Sequence, residues 1–321
     1  MNGFSEIKKI LGKKVIENEP MSSHTTLEIG GPARLFVTAN AEGELIHFIE
    51  LAGKYKIPYL VIGEGSDLLV SDKGVSSMVI KIDISGLRTK GKNGLEVFAG
   101  ENLQDTIDTA NKMGFCGMES MAGIPGSIGG AIYGNAGAYG QAISNRIVLV
   151  RFLRDGEIKT FKKKGCKFSY RDSIFKIHKD WIILSAEFRF NKGKPEELIS
   201  KSKEIRQIRA KKYPPEVKCP GSFFKNVLLE KVPARYLKNI PEDKIMFGKI
   251  PTGYLMQAVG ANGAKKGKVK IAEYHGNLII NLGGGTAKDF IDLAYKYASK
   301  VKEKFGITLE PEVQLVGFTN K

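Results

Sequence analysis

The sequence lacks any apolar run long enough to cross a lipid bilayer. Its 321 residues are 42% hydrophobic and 26% charged, which is the balance of an ordinary globular protein. A membrane helix needs about 20 consecutive apolar residues, so we expect no membrane insertion. Residues 1–14 mix charged and apolar side chains and do not resemble a secretory signal. We therefore expect a cytoplasmic protein.

Cysteine is also scarce. Cys116, Cys166 and Cys219 lie far apart and lack the paired spacing of a zinc site. An odd number of cysteines fits a reducing compartment better than a disulfide framework. The sequence therefore predicts no bound metal.

Acidic residues are few relative to basic ones. There are 34 aspartates and glutamates against 50 lysines and arginines, a net charge of +16. Such an excess is compatible with nucleic-acid binding, with anionic small ligands such as nucleotides, or with solvated lysine-rich faces. The lysine clusters at 162–167, 201–212 and 265–270 lack interleaved aromatic residues, and no helix-turn-helix or zinc-finger pattern is present. We therefore expect no nucleic-acid partner.

The pattern of helices and strands indicates an α+β protein with more than one domain. Helical spacing is clear at 41–55, 102–113, 195–212 and 286–305, and strands are predicted at 59–62, 147–154 and 181–190. Residues 5–19 are interpreted as a short helix followed by a charged connector, and 309–316 as a strand. Tyr213-Pro-Pro215 ends a helix, so we place a domain boundary there, giving domains 1–213 and 214–321.

Glycine is concentrated in one stretch of the chain. Eight of the 24 residues from 117 to 140 are glycine, although apolar residues punctuate the run, unlike in a flexible linker. Backbone N–H groups in such a stretch can hold phosphate, and small residues after it leave room for a ring system. The residues that we expect to contact a nucleotide cofactor here are Pro125, Gly126, Ser127, Gly129, Gly130, Asn135 and Gly137.

A second glycine turn follows the predicted strand at 59–62. It has the sequence Gly63-Glu-Gly-Ser-Asp-Leu68, and another apolar strand follows it. It is not a dinucleotide-binding fingerprint, because the third glycine and the helix are missing. A single turn of this kind is usually a hairpin, but together with the first stretch it predicts two phosphate-binding loops. The candidate cofactor residues here are Gly63, Gly65, Ser66, Asp67 and Leu68.

An ordered set of segments resembles the UDP-N-acetylenolpyruvoylglucosamine reductase family. Any one segment is modest evidence, whereas the set keeps the family's order over nearly the whole chain. The short connection after Lys176 is similar to the shorter of the family's two subtypes. The matching segments are 24–33, 63–69, 122–130, 135–140, 169–176, 221–226, 275–281 and 309–313.

This resemblance implies a fold, a cofactor and a reaction. The fold would be a two-subdomain FAD-binding region, vanillyl-alcohol-oxidase (PCMH)-like and split near residue 80, followed by a C-terminal α+β substrate-binding domain. FAD would be the cofactor, NADPH the co-substrate and UDP-N-acetylglucosamine enolpyruvate the substrate. Hydride would pass from reduced flavin to C3 of the enolpyruvyl group and a proton would be delivered to C2.

The resemblance also implies three catalytic residues. Arg171 would hold the negative charge that develops on the substrate carboxylate, since its guanidinium can bind two oxygens. Ser222 would donate the proton to C2, with help because serine is a weak acid; Lys225 is a candidate for that help. Glu312 would act as a protonated acid beside the carboxylate. Ideal strand alternation does not separate Glu312 from Glu310, and the family's pattern selects Glu312.

Substrate-binding residues are expected at Lys225, Asn226 and Tyr254, although a core position suits Tyr254 equally well. His275 fits a structural role better than a ligand-orienting one. The chain departs from the family where Ala258 replaces a usual glutamine, which Gln257 could replace through a shift of register. It also has Val227 for a usual proline and Asp67 for a common asparagine.

Two other functions are compatible with the composition and the glycine loops. One is a different FAD enzyme of the same two-subdomain fold, such as an alcohol or hydroxyacid oxidase, which would lack the set Arg171, Ser222 and Glu312. The other is a basic binding protein without catalytic activity, which a flavin spectrum would exclude.

Overall fold

The computed structural model describes residues 3–238 and 240–318. Its helices are α1 (Gly3–Leu11), α2 (Glu42–Lys54), α3 (Leu103–Lys112), α4 (Ile128–Tyr133), α5 (Ile174–Ile177), α6 (Pro195–Lys212), α7 (Ala234–Leu237), α8 (Thr252–Gln257) and α9 (Ala287–Phe305). The strands of the first half are β1 (Ile16–Pro20), β2 (Pro32–Ala39), β3 (Tyr59–Ile62), β4 (Leu68–Val70), β5 (Val75–Ile82), β6 (Leu87–Lys90), β7 (Gly94–Phe98), β8 (Phe115–Cys116), β9 (Gly137–Ala138) and β10 (Gln141–Ala142). Those of the second half are β11 (Ile147–Arg154), β12 (Glu157–Lys162), β13 (Ile182–Arg189), β14 (Asn191–Lys192), β15 (Val227–Leu228), β16 (Lys249–Ile250), β17 (Lys265–Lys266), β18 (Val269–Ala272), β19 (His275–Asn281) and β20 (Gln314–Val316).

The chain divides into two units, each built from separate segments. Unit 1 comprises residues 1–19, 33–64 and 76–211, and unit 2 comprises residues 20–32, 65–75 and 212–321. The predicted boundary between domains 1–213 and 214–321 stays a prediction, as does the split near residue 80. The chain leaves the strand that contains residue 80 after Ile82.

Unit 1 is organised around two sheets. The first has the strand order β1-β2-β5-β3, with β3 and β5 parallel, and its apolar side chains meet those of α2, such as Phe48. The second has the order β12-β11-β13-β7-β6, and all its neighbours are antiparallel. The central strands β5, β7 and β13 are buried along most of their length, and their apolar side chains join one shared core, whereas the edge strands β1, β6 and β12 are largely exposed.

Unit 2 has a small antiparallel sheet and one long helix. The sheet has the order β17-β18-β19. Helix α9 buries Phe290, Leu293 and Val301 at helical spacing in the second core. Strand β20 pairs in parallel with β4, from Gln314 beside Leu68 to Val316 beside Val70.

Two local predictions are wrong. Residues 16–20 form strand β1 instead of a connector. Residues 309–313 are irregular, with a single bridge at Pro311, and the strand begins only at Gln314. Proline lacks a backbone N–H and breaks the ladder, so the alternation argument about Glu310 and Glu312 does not apply.

Candidate functional site

Helix α4 begins within the glycine stretch of unit 1, residues 117–140. Ser127 is the N-cap residue, and its Oγ accepts from the backbone N–H of Gly130 at 3.3 Å. The N–H of Gly129 donates to the carbonyl of Ala99 at 2.8 Å, so it is used inside the protein. The N–H of Ile128 is also used inside the protein, because it donates to the carbonyl of Glu101 at 2.8 Å, and Gly126, just before the N-cap, has φ 120°. That conformation favours glycine.

Gly63 approaches the same loop. A Cβ added to Gly63 would lie 2.5 Å from Ser127 Oγ, so a side chain at Gly63 would displace the cap of α4. Asn102 ties the two segments further, since its Nδ2 donates to Glu64 Oε1 at 3.2 Å and its backbone bridges to Ser127. Gly63 and Ser127, two residues predicted to contact the cofactor, thus lie side by side in unit 1.

Asn135 connects the glycine stretch to the turn that carries Arg171. Its Nδ2 donates to the carbonyl of Ser169 at 2.6 Å. Ser169 and Asp172 exchange backbone hydrogen bonds of 3.1 and 3.3 Å, which places Arg171 in a tight turn. Ser173 Oγ donates to the carbonyl of Tyr133 at 2.7 Å. Unit 1 therefore holds Asn135 against the turn that contains Arg171, although the two residues are 36 positions apart in the printed sequence.

The residues of this region fit a ligand that donates hydrogen bonds. Asn135 is buried, and its Oδ1 has no hydrogen-bond partner. A buried amide oxygen without a hydrogen bond costs free energy unless a donor group pairs with it. An N–H or O–H group of a flavin could supply that bond. FAD is thus compatible with the donors and acceptors that unit 1 presents.

The Arg171 backbone is in the left-handed region, with φ 56°. Such a conformation is uncommon outside glycine, asparagine and aspartate, and it concentrates at functional sites. The guanidinium lies 5.5 Å from the ring centroid of Tyr170, and Lys176 Nζ donates to the carbonyl of Arg171 at 3.2 Å. Lys176 therefore holds the Arg171 carbonyl, and the Arg171 side chain is half-buried.

The second glycine turn continues from Gly65 to Leu68, and this part of the turn belongs to unit 2. Gly65 has φ 66°, and a Cβ there would lie 1.9 Å from the carbonyl oxygen of His24. Thr26 donates its backbone N–H to Gly65 O at 3.4 Å, and Asp67 O accepts from Gln314 N at 2.9 Å. Glycine is required at Gly65 both for conformation and for space. The cofactor contacts expected of Ser66, Asp67 and Leu68 stay predictions, as do those of Pro125 and Gly137.

Ser222 lies on a short extended segment beside β19. It bridges to Leu278, follows Gly221 with φ 80°, and precedes Phe223, whose N–H donates to Asn277 O at 3.0 Å. Its Oγ is 3.0 Å from the phenolic oxygen of Tyr213. The backbone of Ser222 is thus held by a strand, and its hydroxyl is held by a second side chain.

Glu312 lies on the other side of that segment. Its N–H donates to Phe223 O at 2.8 Å, so a backbone hydrogen bond holds Glu312 beside the residue that follows Ser222. Glu310, by contrast, accepts from Lys225 Nζ at 2.5 Å and lies 3.8 Å from Lys231 Nζ. The two glutamates therefore differ in exposure. The Glu310 side chain is exposed and paired with lysines, whereas Glu312 is half-buried.

The three expected substrate-binding residues occupy different environments. Lys225 is directed at Glu310, with its side chain 14% exposed, so its predicted electrostatic help to Ser222 competes with that ion pair. Asn226 is exposed, and its Oδ1 accepts from Thr252 N at 3.1 Å. Tyr254 is half-buried and packs on the second core. Their contacts with substrate stay predictions.

Burial shapes the chemistry around Ser222. It raises the pKa of the Cys219 thiol, although a hydrogen bond from the Gly221 backbone opposes the shift. Burial, followed by the charge of Lys212, lowers the pKa of His275 from 6.5 to about 4. His275 is therefore neutral at pH 7, and its Nδ1 accepts from Asn277 N at 3.1 Å.

The Tyr213 contact is a feature of this site that sequence patterns did not reveal. The sequence presented Tyr213 only as part of a helix-ending Tyr-Pro-Pro segment. Its distance of nine residues from Ser222 gives no periodic signal. The two proline residues that follow are the available hint, because they force the chain to leave the helix direction.

Within residues 3–238 and 240–318, no group of three or more histidine, cysteine, aspartate or glutamate side chains is arranged to hold a metal ion. None of the helices in this part of the chain has both the length and the apolar character needed to traverse a bilayer.

The two parts of the chain match two family models. Residues 33–162 match the FAD binding domain, and residues 213–316 match the C-terminal domain of UDP-N-acetylenolpyruvoylglucosamine reductase. These matches confirm the predicted α+β fold, in which an FAD-binding region precedes a separate C-terminal domain. The class of protein that they define is an FAD-dependent oxidoreductase.

Similar proteins span nearly the whole chain. The reductase of Solibacter usitatus is 41% identical over 303 residues, covering 94% of this chain and 97% of the relative. That of Bacillus subtilis is 32% identical over 317 residues, covering 98% of each. The chain belongs to the UDP-N-acetylenolpyruvoylglucosamine reductase family.

A solved structure agrees with this assignment. The crystal structure of the UDP-N-acetylenolpyruvylglucosamine reductase from Thermus caldophilus superposes with a TM-score of 0.72. It is 28% identical and covers 94% of this chain and 98% of its own. The resemblance expected from the sequence segments is therefore confirmed.

Proposed function

We propose that the chain reduces UDP-N-acetylglucosamine enolpyruvate to UDP-N-acetylmuramate, a step of peptidoglycan precursor synthesis, with NADPH as the electron donor. The observation that carries this proposal is membership of the reductase family over 94% of the chain, at 41% identity to one relative. When bound, FAD would supply hydride transfer from NADPH to C3 of the enolpyruvyl group. The residues of the chain would bind, orient and protonate the substrate.

In this proposal the cofactor contacts lie in the two glycine segments. Gly63, Ser127 and Asn135 in unit 1 support it, because the first two are in contact and the third offers a buried acceptor. The remaining contacts would come from Gly65, Ser66, Asp67, Leu68, Pro125, Gly126, Gly129, Gly130 and Gly137. Backbone groups in such loops bind phosphate without a side-chain charge.

Three side chains would handle the charge that hydride transfer creates. After hydride reaches C3, negative charge develops at C2 and on the carboxylate of the substrate. Arg171 would hold the carboxylate with its two-pronged guanidinium. Glu312, in protonated form, would donate a hydrogen bond to the same group. Ser222 would deliver the proton to C2. The catalytic advantage comes from groups that bind this charged state more tightly than the substrate.

The substrate's nucleotide would be bound by the C-terminal domain. Lys225, Asn226 and Tyr254 are the proposed contacts, with Lys225 exchanging its Glu310 partner for a diphosphate oxygen. We also propose a cytoplasmic location. Cys116, Cys166 and Cys219 are all unpaired, as is usual in a reducing compartment.

The test is a spectral titration of the purified protein without oxygen. NADPH should bleach the flavin absorption, and UDP-N-acetylglucosamine enolpyruvate should restore it with stoichiometric formation of UDP-N-acetylmuramate. Ser222→Ala should still be bleached by NADPH but should be re-oxidised more slowly by a factor on the order of 10² or more. A flavin that NADPH bleaches but this substrate leaves bleached in the wild-type protein would refute the proposal. Normal re-oxidation in Ser222→Ala would remove Ser222 from the mechanism.

A further inference from the structure

The hydroxyl of Ser222 has a specific partner within unit 2. The Tyr213 phenol lies 3.0 Å from Ser222 Oγ, and either oxygen can be the donor in the resting state. Tyr213 is half-buried and follows directly after α6, while Ser222 lies on the segment beside β19. The hydrogen bond thus joins two separate segments of the unit.

Two side chains lie near the ring of Tyr213. Its centroid is 6.0 Å from that of His275, at an angle of 45°, and Lys212 Nζ lies 5.3 Å from the Tyr213 centroid. His275 is itself fixed through Asn277 N. Because the phenol already lies at hydrogen-bond distance from Ser222 Oγ, it needs little further ordering to donate to that oxygen.

The chemistry of the proton donor explains why such a partner matters. An aliphatic hydroxyl is a poor acid, and the alkoxide that it leaves must be stabilised at once. A phenol is a much stronger acid, and a hydrogen bond to a charged oxygen is stronger than one to a neutral oxygen. The Ser222 hydrogen is needed for the substrate during transfer, so the Tyr213 hydroxyl must then be the donor.

We propose that Tyr213 relays a proton to Ser222 during reduction of the substrate. The inference rests on the proposed function. The Ser222 O–H bond breaks as a C–H bond forms at C2 of the substrate. The Tyr213 O–H bond breaks as its proton moves to Ser222 Oγ, and water then returns a proton to the Tyr213 oxygen. The net change is one proton taken from solvent, and no further oxidant or reductant is needed.

Tyr213→Phe tests the relay while preserving the ring that packs against His275. We expect NADPH to bleach the flavin of the variant at the wild-type rate. Re-oxidation by UDP-N-acetylglucosamine enolpyruvate should slow on the order of 10- to 100-fold, with substrate affinity changed less than about 2-fold. Tyr295→Phe removes a phenol from α9 of the same unit and serves as the matched control, with both rates unchanged.

A proton inventory separates a relay from simple positioning. Re-oxidation is measured in mixtures of H₂O and D₂O. A plot of the wild-type rate against the deuterium fraction should be curved, because two protons move together. The same plot for Tyr213→Phe should be a straight line. A straight line for the wild-type protein, an unchanged curve for Tyr213→Phe, or re-oxidation of Tyr213→Phe at the wild-type rate overturns the relay.

Ser222→Ala distinguishes failure of this inference from failure of the proposed function. If Ser222→Ala is re-oxidised normally, the assignment of Ser222 as proton donor is wrong, and the proposed relay from Tyr213 is refuted as well. If Ser222→Ala is slow while Tyr213→Phe is normal, Ser222 remains the donor and only the role of Tyr213 is refuted. In the double variant, the Tyr213 change should add little to the effect of Ser222→Ala, because the two residues act as one unit.

Discussion

Arg171 combines an unusual backbone with a half-buried guanidinium. Its φ of 56° is unfavourable for a residue with a Cβ, at a cost on the order of 1 kcal/mol. The Ser169–Asp172 hydrogen bonds and the Asn135 amide hold the turn in this conformation. Under the proposed function, this turn would set the direction of the guanidinium towards the substrate carboxylate.

Arg171→Lys should therefore slow re-oxidation of the flavin by the enolpyruvyl substrate. The ammonium keeps the charge and a similar length but cannot bind two carboxylate oxygens in one plane, so we expect a loss on the order of 10²-fold. Bleaching by NADPH should not change. Stopped-flow absorbance measures both steps. Arg154→Lys, which alters an exposed arginine paired with Asp155, is the control. Equal re-oxidation rates in the two variants would show that Arg171 only stabilises the turn.

At the scale of elements, local sequence signals predicted most helices well. Asn102 accepts from the N–H groups of Gln104 and Asp105 at the start of α3, and Thr286 caps α9. These are strong N-cap residues, so sequence alone locates both helix starts. Strand β1 was missed because its five residues have no buried side chain, and a strand without an apolar face gives no alternating signal.

Helix α9 receives a second cap that no local pattern could indicate. Asp72, more than 200 residues earlier, accepts from Ala287 N at 2.7 Å and from Lys288 N at 3.0 Å. These are among the N–H groups that a helix start leaves unpaired. The carboxylate also interacts favourably with the helix dipole. The contact anchors the segment 65–75 to the helix within unit 2.

Asp72→Ala should lower the free energy of unfolding by about 1 kcal/mol, through loss of both hydrogen bonds and the dipole interaction. Asp72→Asn retains the acceptor oxygen and should recover part of that loss. Urea unfolding measures the change as a shift of the midpoint at constant slope. Asp243→Ala, an exposed aspartate that pairs only locally with Lys244, is the control. A midpoint for Asp72→Ala equal to that of the control would contradict the capping role.

At the scale of the whole molecule, the sequence identified the family but not the grouping of segments. The ordered motifs were sufficient for the family because each retains specific residue types. The grouping of 20–32 and 65–75 with the C-terminal part depends on contacts between distant residues. Asn281, for example, donates to the carbonyls of Leu27 and Glu28. Such contacts have no local periodicity, and the Tyr213–Ser222 hydrogen bond escaped prediction for the same reason.

The pH dependence of stability provides a test for the whole fold. The pKa of His275 falls from 6.5 to about 4, first because of burial and then because of Lys212. Between these values the unfolded chain binds a proton that the folded chain does not. The contribution of His275 to the free energy of unfolding is therefore fully present above pH 6.5, and it is lost as the pH falls towards 4. A shift of this size corresponds to about 3 kcal/mol at most.

His275→Asn should remove this dependence while leaving a polar acceptor for Asn277 N. We expect the free energy of unfolding of the wild-type protein to fall more steeply from pH 7 to pH 4 than that of the variant, by about 3 kcal/mol or somewhat less. Urea unfolding followed by far-ultraviolet circular dichroism at each pH gives the difference. His47→Asn, which changes an exposed histidine on α2, is the matched control. Parallel profiles for His275→Asn and the wild-type protein would mean that His275 is accessible to protons in the folded state, and the neutral imidazole beside Tyr213 would have to be abandoned.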